Sequence, residues 1–189
     1  IHLTEWSTSP NSRDNMHDNL PPAAYIIKTN LDCIGMVNSL SYWTFTDIFE
    51  EKGGCETIFH GGFGMINYQG IVKPAFHAYR MLHQLGDQKL YYSEPLFVSR
   101  SSKTGKISAL AFNYPKEYVE RIPTASDINK YMNASTKTID INLNGLKKAT
   151  EFVIEILDNE SGNIKPYFDK IGSPRSPNRQ TIADLKMKA

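Results

Sequence analysis

The chain has 189 residues, of which 40% are hydrophobic and 11% aromatic, and this is enough to build the core of one medium domain or two small ones. Lys and Arg number 21 against 20 Asp and Glu, so the net charge of +1 disfavours nucleic acid, an anionic membrane surface and a strongly charged ligand as partners. No run of about 18 apolar residues occurs, and the sequence therefore predicts no transmembrane helix.

The first predicted element is a strand at the N-terminus. Residues 1–9 begin with an apolar alternation and place one carboxylate, Glu5, beside Trp6 and several small hydroxyl side chains. A carboxylate at a strand end is a common way to present a catalytic group at the open end of a β/α barrel. A glutamate in a structural salt bridge is the alternative, and these nine residues alone do not decide between the two.

A polar loop, a helix and a second strand follow. Residues 10–20 contain almost no apolar side chain and predict a long loop. Asp18 and Asn19 can cap a helix whose first turn contains Pro21, and Gly35 is placed to end this helix. The aromatic and hydroxyl side chains of Leu40–Phe45 then predict a strand. Three acidic residues come after it: Asp47, Glu50 and Glu51.

A glycine-rich stretch and a second helix complete this part of the pattern. Six glycines lie between residues 52 and 70, where the backbone must bend sharply or approach something closely. Pro74 can begin a helix that runs through Leu85, with Gly86 placed to end it. Two consecutive strand–helix units with long loops after each strand are typical of the end of a parallel β/α barrel.

The pattern changes to strands after residue 88. Four segments of strand-like composition are separated by turn residues: Leu90–Ser99, Ile107–Tyr114, Thr138–Leu143 and Glu151–Leu157. They predict an antiparallel β-sandwich, followed by a short amphipathic helix over Gln180–Lys188. We therefore expect two domains: residues 1–87 form the last two βα units of a (β/α)8 TIM barrel, and residues 88–189 form an accessory β-sandwich with a terminal helix.

A partial set of residues suits the hydrolysis of glycosidic bonds. This reaction needs two carboxyl groups beside the anomeric carbon and aromatic side chains that hold the sugar. The candidates near the first two strand ends are Glu5, Trp6, Trp43, Asp47, Glu50 and Glu51. Each has a structural alternative, since Trp43 could pack in the core, the acidic residues could form a solvated loop, and His60 could be a structural histidine.

Several longer strings carry a family resemblance. They are Thr4–Ser9, Ser41–Glu51, Phe59–Gly64, Tyr68–Phe76 and, in the second half, Gly105–Tyr114. Together they resemble glycoside hydrolase family 39, the β-xylosidase family. The resemblance implies a (β/α)8 barrel followed by a sandwich. It also implies action on short β-linked xylosides, with net retention and with no metal or other cofactor.

The resemblance further implies roles for individual residues. Glu5 lies where the family has its nucleophile, which attacks the anomeric carbon in a retaining enzyme. Trp43 corresponds to the aromatic residue that lines the sugar site, and Glu51 to an acidic residue that hydrogen-bonds sugar hydroxyls. Glu50 and His60 match motif positions without a specific role. Trp6 is a further candidate for substrate binding.

Two parts of the family pattern have no counterpart in this chain. The acid/base residue of the family lies in an Asn-Glu-Pro motif, and no Glu here lies between Asn and Pro. Six of the eight barrel strands are also not represented. We therefore expect a fragment of a larger xylan 1,4-β-xylosidase that does not turn over xylosides alone. The alternative is a sugar-sensing, hydrolase-like module of an AraC-type transcription regulator.

The same features define the expected partners and compartment. The expected ligand is a small β-linked xyloside or related saccharide, with no role for nucleic acid or a membrane in this segment. The strands Ile1–Glu5 and Leu40–Phe45 expose unpaired backbone groups in a fragment, so we expect self-association through them.

Cys33 and Cys55 have no metal-type spacing and suit a reducing compartment, and a cytoplasmic location is expected.

Overall fold

The structure, a computed structural model, describes residues 1–49, 52–118, 125–128, 130, 136–145 and 150–189. Its first half contains β1 (His2–Trp6), α1 (Pro21–Asp32), β2 (Ser39–Tyr42) and α2 (Pro74–His83). Its second half contains β3 (Gln88–Ser93), β4 (Leu96–Arg100), β5 (Ile107–Ala111), α3 (Lys165–Lys170) and α4 (Arg179–Lys188). Short 3-10 helices lie at Asn15–Asp18, Lys116–Tyr118 and Ala125–Asp127.

The strands β1 and β2 are parallel neighbours connected by α1. Leu3 pairs with Leu40 and Trp6 with Tyr42, so β1 contains one residue more than β2 between these two pairs. The irregularity falls on the segment that contains Glu5, and an extra residue of this kind redirects the side chains around it. The helical connection is the one that a parallel pair requires, as the sequence predicted.

The helices α1 and α2 begin where the sequence predicted. Proline occupies the first turn of each, because an amide hydrogen at that position has no partner within the helix. Trp6 of β1 contacts Tyr25 of α1, and Tyr42 of β2 contacts Tyr79 of α2. One face of the parallel sheet is therefore covered by helices.

The strands β3, β4 and β5 form an antiparallel sheet in that order. The sequence predicts one strand over Leu90–Ser99, but Glu94 and Pro95 form a turn that divides it into β3 and β4. The strands β3 and β4 pair with each other across this turn, with Ser93 opposite Leu96, and proline is a common turn residue.

Two strands predicted for the second half are not formed by the residues that the structure describes. The predictions over Thr138–Leu143 and Glu151–Leu157 are wrong, since neither described segment is assigned to a strand. The alternation of apolar and polar residues suggested one buried face in each. Val153 and Ile154 are instead adjacent residues with 82% and 81% exposure, so neither face of that segment is buried.

Two clusters of buried side chains hold the chain together, and both combine residues from its two halves. The larger one lies between α1, α2 and the antiparallel sheet and contains Ala23, Ile26, Ile27, Leu31, Ala75, Ala78, Phe97, Leu110, Phe112, Tyr114 and Tyr118. The smaller one joins the glycine-rich stretch to α3 and α4 and contains Ile58, Phe59, Ile71, Ile164, Phe168 and Leu185. Both clusters cross the predicted domain boundary between residues 87 and 88.

Among the helices of the described residues, none has both the length and the apolar character needed to cross a bilayer. The helix α4 agrees with the predicted helix over Gln180–Lys188. The helix α3 was not predicted, and it buries Phe168 in the smaller cluster.

Candidate active site

Glu5 lies near the carboxyl end of β1, and its side chain is exposed. Its neighbour Trp6 points to the helix-covered face of the sheet. The extra residue of β1 between Leu3 and Trp6 breaks the regular alternation of side chains here, and it is the exposure of Glu5 that shows that the helices do not cover it. Within the described part of the chain, no group forms a hydrogen bond or an ion pair with its carboxylate. The salt-bridge alternative is therefore not found among these residues.

Trp6 packs at the interface between the parallel sheet and the helices. Its ring centroid lies 5.9 Å from that of Tyr25 and 5.2 Å from that of Tyr42. Aromatic pairs at these distances stabilise the packing beyond the area that they bury. The structure thus gives Trp6 a role in holding the end of β1, and its role in substrate binding stays a prediction.

Trp43 is the first residue after β2, and it lies beside the end of β1. Its backbone amide donates a hydrogen bond of 2.7 Å to the carbonyl oxygen of Trp6, the residue that follows Glu5. Its ring is partly exposed and meets the ring of Phe49 edge-on at 5.1 Å. Trp43 belongs to neither of the two described core clusters, so core packing does not account for it.

The remaining predicted binding residues come after β2. Glu50 and Glu51 lie outside the described residues, and their roles stay predictions. His60 is partly buried in the glycine-rich stretch. A Cβ atom added to Gly62 would approach His60 Nε2 to 2.8 Å and would clash with the Asp47 carboxylate, so both side chains lie close to the Cβ position of this glycine.

Three charged side chains form a fully buried group between the loops that follow β1 and β2. Lys73 Nζ lies 2.8 Å from Asp18 Oδ1 and 2.7 Å from Asp47 Oδ2, and all three side chains have 0% exposure. Lys73 Nζ also donates a hydrogen bond of 3.0 Å to the carbonyl oxygen of Gly62. An ammonium group has three donor hydrogens, and three oxygens surround this one. We call Asp18, Asp47 and Lys73 the ion cluster.

Backbone amides bind the other two carboxylate oxygens of the ion cluster. Gly61 N donates to Asp18 Oδ2 at 2.6 Å, and Gly64 N donates to Asp47 Oδ1 at 2.7 Å. Buried charges are tolerated when they are both paired and hydrogen-bonded, and the cluster meets both conditions. The glycine-rich stretch is therefore fixed to the loops that follow β1 and β2.

Burial and charge act in opposite directions on the pKa values of the ion cluster. Burial raises the pKa of the Asp47 carboxyl, and this effect outweighs the stabilising charge of Lys73. Burial by itself lowers the pKa of Lys73, but the nearby Asp18 and Asp47 carboxylates outweigh it and raise that pKa above its ordinary value. Lys73 therefore stays charged over the whole physiological pH range.

His17 contacts the same glycine-rich stretch. Its ring Nδ1 lies 2.9 Å from the carbonyl oxygen of Gly61, so Nδ1 carries the hydrogen and donates it. The imidazole is 2% exposed and its centroid lies 4.9 Å from that of Phe63. Burial lowers the pKa of His17 and favours the neutral ring.

Sequence reasoning did not identify Lys73, and it gave Asp18 a different role. The sequence predicts that Asp18 caps α1, but the residue at the N-cap is Leu20 and no side chain caps this helix. The carboxylate of Asp18 instead reaches Gly61 and Lys73. One sequence signal for the cluster exists: Lys73 is the single charge in the otherwise apolar run Ile71–Phe76, and a lysine in such a run indicates burial with a partner.

Comparison with known proteins gives the family. The sequence profile of the glycosyl hydrolases family 39 matches residues 1–189. The chain belongs to this family. It is 35% identical over 187 residues to a β-xylosidase of Caldicellulosiruptor saccharolyticus and 33% identical over 185 residues to one of Geobacillus stearothermophilus. These matches cover 98% of this chain but 36% and 34% of the relatives, so the family 39 chain spans about a third of their length.

Solved structures of family 39 proteins have a similar fold. A GH39 β-xylosidase from Caulobacter crescentus superposes with a TM-score of 0.76 at 26% identity, over 99% of this chain and 37% of that one. The GH39 enzyme from Xanthomonas axonopodis pv. citri gives a TM-score of 0.73 at 24% identity. The family 39 chain therefore has the fold of a part of these proteins. Its described residues contain two parallel strands and one three-stranded sheet, without a closed barrel or a second sandwich layer.

Proposed function

We propose that this family 39 chain is the C-terminal part of a retaining β-xylosidase in which Glu5 is the catalytic nucleophile. The supporting observation is the position of Glu5, an exposed carboxylate near the end of a parallel strand, where the neighbouring strand is followed directly by Trp43. Enzymes built on β/α barrels carry their catalytic groups at this end of the strands. Because the chain spans about a third of its relatives, the proposed activity belongs to a longer protein.

In the proposed reaction the Glu5 carboxylate attacks the anomeric carbon of a β-xyloside. A bond forms between a Glu5 oxygen and the anomeric carbon, and the bond to the leaving oxygen breaks. That oxygen keeps the electron pair and takes a proton from a general acid. Water then attacks the same carbon and gives a proton to the residue that acted as general acid. The bond between that carbon and Glu5 breaks, its electron pair returns to the Glu5 carboxylate, and xylose leaves with net retention.

The proposed general acid lies outside this chain. The resemblance places it in an Asn-Glu-Pro segment that has no counterpart here. Loss of general acid catalysis costs about 10²–10⁴-fold in rate when the leaving group is poor. We therefore expect that the purified chain does not cleave an unactivated xyloside such as xylobiose. Robust cleavage of xylobiose by the chain alone would contradict this expectation.

We further propose that Trp43 forms a platform for the sugar ring. A tryptophan that is partly exposed, next to the nucleophile and outside the core offers an apolar face to a saccharide. In this proposal Glu51 hydrogen-bonds sugar hydroxyls, and Glu50, His60 and Trp6 complete the binding side chains.

A mechanism-based label tests the role of Glu5 directly. We propose treating the chain with 2-deoxy-2-fluoro-β-xylosyl fluoride. Glu5 forms an ester with the anomeric carbon while fluoride leaves with its electron pair, and no proton donor is needed. Peptide mass spectrometry should locate the label on Glu5. Glu5→Gln should abolish the label, whereas Glu151→Gln, which changes another exposed glutamate, should keep it.

Labelling of a different residue, or equal labelling of the Glu5→Gln variant, would contradict the proposal. The coding sequence upstream of Ile1 offers a second test, since an Asn-Glu-Pro segment there supports an enzyme and a helix-turn-helix pair supports a regulator. The comparisons give the regulator hypothesis no support.

A further inference from the structure

The ion cluster joins the loops on which the proposed saccharide site depends. Asp18 comes from the loop that follows β1, the strand of Glu5. Asp47 comes from the loop that follows β2 and begins at Trp43. Lys73 binds both carboxylates at once. A single buried ammonium therefore connects the two loops that flank the proposed nucleophile.

The loop that begins at Trp43 has a second attachment, to the glycine-rich stretch. Thr44 N donates to Phe63 O at 3.2 Å, and Met65 N donates back to Thr44 O at 3.0 Å. Lys73 N in turn donates to Met65 O at 2.9 Å. The backbone of this loop and the side chain of Asp47 are thus held from the same side, by residues just before α2.

We propose that Lys73 is a positioning residue of the saccharide site, which holds the Trp43 loop in a fixed place relative to the strand of Glu5. This inference rests on the function proposed above. Lys73 does not touch the substrate in this proposal, and its effect passes through Asp18 and Asp47.

A buried ion cluster generally contributes little to the free energy of unfolding. A positioning role of Lys73 can therefore be distinguished from a stabilising one. Buried ion groups are often no more stabilising than apolar residues of similar size, because desolvation offsets the attraction between the charges. They do impose a defined geometry, since each charge must meet its partner. If Lys73 fixes the geometry of the site, its replacement should change substrate affinity and local amide protection more than the global free energy of unfolding.

The chain offers a matched control. Lys28 of α1 also binds two carboxylates, with Nζ at 2.7 Å from Asp32 Oδ2 and 2.9 Å from Glu94 Oε2. This group lies at the partly exposed surface, and it does not include a residue of the loops after β1 and β2. Lys28→Met therefore removes the same kind of lysine without loosening the Trp43 loop.

The experiment compares the wild-type chain with Lys73→Met, Asp47→Asn and Lys28→Met. Asp47→Asn keeps the shape of the side chain and an acceptor for Gly64 N, so it decides the question if Lys73→Met does not fold. Amide hydrogen exchange at Gly61, Gly64 and Asp47 measures local protection. A titration with xylobiose measures affinity through the shift of the Trp43 indole signal in NMR spectra. The chain has only 2 tryptophans, so this signal is easy to distinguish.

We expect at least tenfold faster exchange and tenfold weaker xylobiose binding in Lys73→Met, smaller changes in the same direction in Asp47→Asn, and changes under twofold in Lys28→Met. Folded Lys73→Met or Asp47→Asn with wild-type exchange and affinity would overturn the proposal. If the wild-type chain does not bind xylobiose, the exchange rates alone decide whether Lys73 holds the loops, and the mechanism-based label tests the proposed function separately.

Discussion

At the scale of single residues, His17 is a buried imidazole whose protonation is set by its surroundings. Burial lowers its pKa below the ordinary value of 6.5, so just below that pH His17 binds more protons in the unfolded chain than in the folded chain. The contribution of His17 to the free energy of unfolding should therefore fall as the pH is lowered from 6.5. Urea unfolding between pH 7 and pH 5 measures this dependence.

The variant His17→Gln should weaken this pH dependence, because glutamine keeps a donor for the carbonyl oxygen of Gly61 and does not titrate. His77, whose pKa is also lowered by burial, should keep part of the dependence. His83→Gln, which changes an exposed histidine, serves as the control for the substitution itself. An equal slope in wild type and His17→Gln would contradict this account.

The residues of the proposed site differ in how well the sequence predicts their positions. The positions of Glu5 and Trp43 at strand ends follow from local pattern and motif, and their roles in the site stay proposals. The position of Lys73 does not, because its partners lie in two loops that are distant in sequence, and only folding brings the three charges together. For Trp6, its position next to Glu5 suggested substrate binding, whereas the structure places its ring against Tyr25 of α1.

At the scale of elements, the glycine-rich stretch is shaped by close approach of the backbone. A Cβ atom at Gly64 would clash with the backbone of Thr46 and Asp47, which cannot move aside as the end of a flexible side chain can. We expect Gly64→Ala to lower the free energy of unfolding by ~3 kcal/mol, as overpacking of a tight site does. Chemical denaturation followed by circular dichroism measures the change.

Gly54 provides the matched control within the same stretch. A Cβ atom there meets nothing within 4 Å, and its backbone does not adopt a positive φ. Gly54→Ala should therefore change stability by less than about 0.5 kcal/mol. Similar losses in Gly54→Ala and Gly64→Ala would show that close approach is not the reason for glycine at position 64.

The helices and strands also differ in predictability. The helices α1, α2 and α4 were predicted because proline in the first turn or an amphipathic period is a local signal. The strands expected over Thr138–Leu143 and Glu151–Leu157 were not found, because a strand forms only where a partner strand and a buried face are available. Glu155 illustrates this, since it bonds to Arg80 of α2 at 2.7 Å and not to a neighbouring strand.

At the scale of the whole molecule, the C-terminal segment packs on the first half of the chain. Leu185 of α4 has 0% exposure and packs in the smaller cluster with the glycine-rich stretch. Truncation of a fully buried leucine costs about 2–5 kcal/mol, and we expect Leu185→Ala to destabilise the chain by this amount. Met187 of the same helix is 79% exposed, so Met187→Ala should cost less than about 0.5 kcal/mol.

The Leu185→Ala variant also tests whether the two halves of the chain unfold as one unit or as separate domains. If Leu185→Ala lowers the protection of amides in the glycine-rich stretch, the two halves unfold as one unit. If those amides keep their protection while α4 loses its own, the halves are energetically separate, as the predicted boundary between residues 87 and 88 requires.

The exposed part of the parallel sheet is a candidate site of self-association. In the described chain this sheet has two strands, and Ile1, Leu3 and Phe45 beside it are 75%, 42% and 60% exposed. Unpaired strand edges next to apolar side chains favour association with another chain. We expect the chain to self-associate, with sedimentation velocity showing a mass that increases with concentration. Leu3→Lys should shift the association equilibrium towards monomer, whereas Met187→Lys, at an exposed position of α4, should not. A monomer at all concentrations, with β1 and β2 ordered, would contradict the prediction.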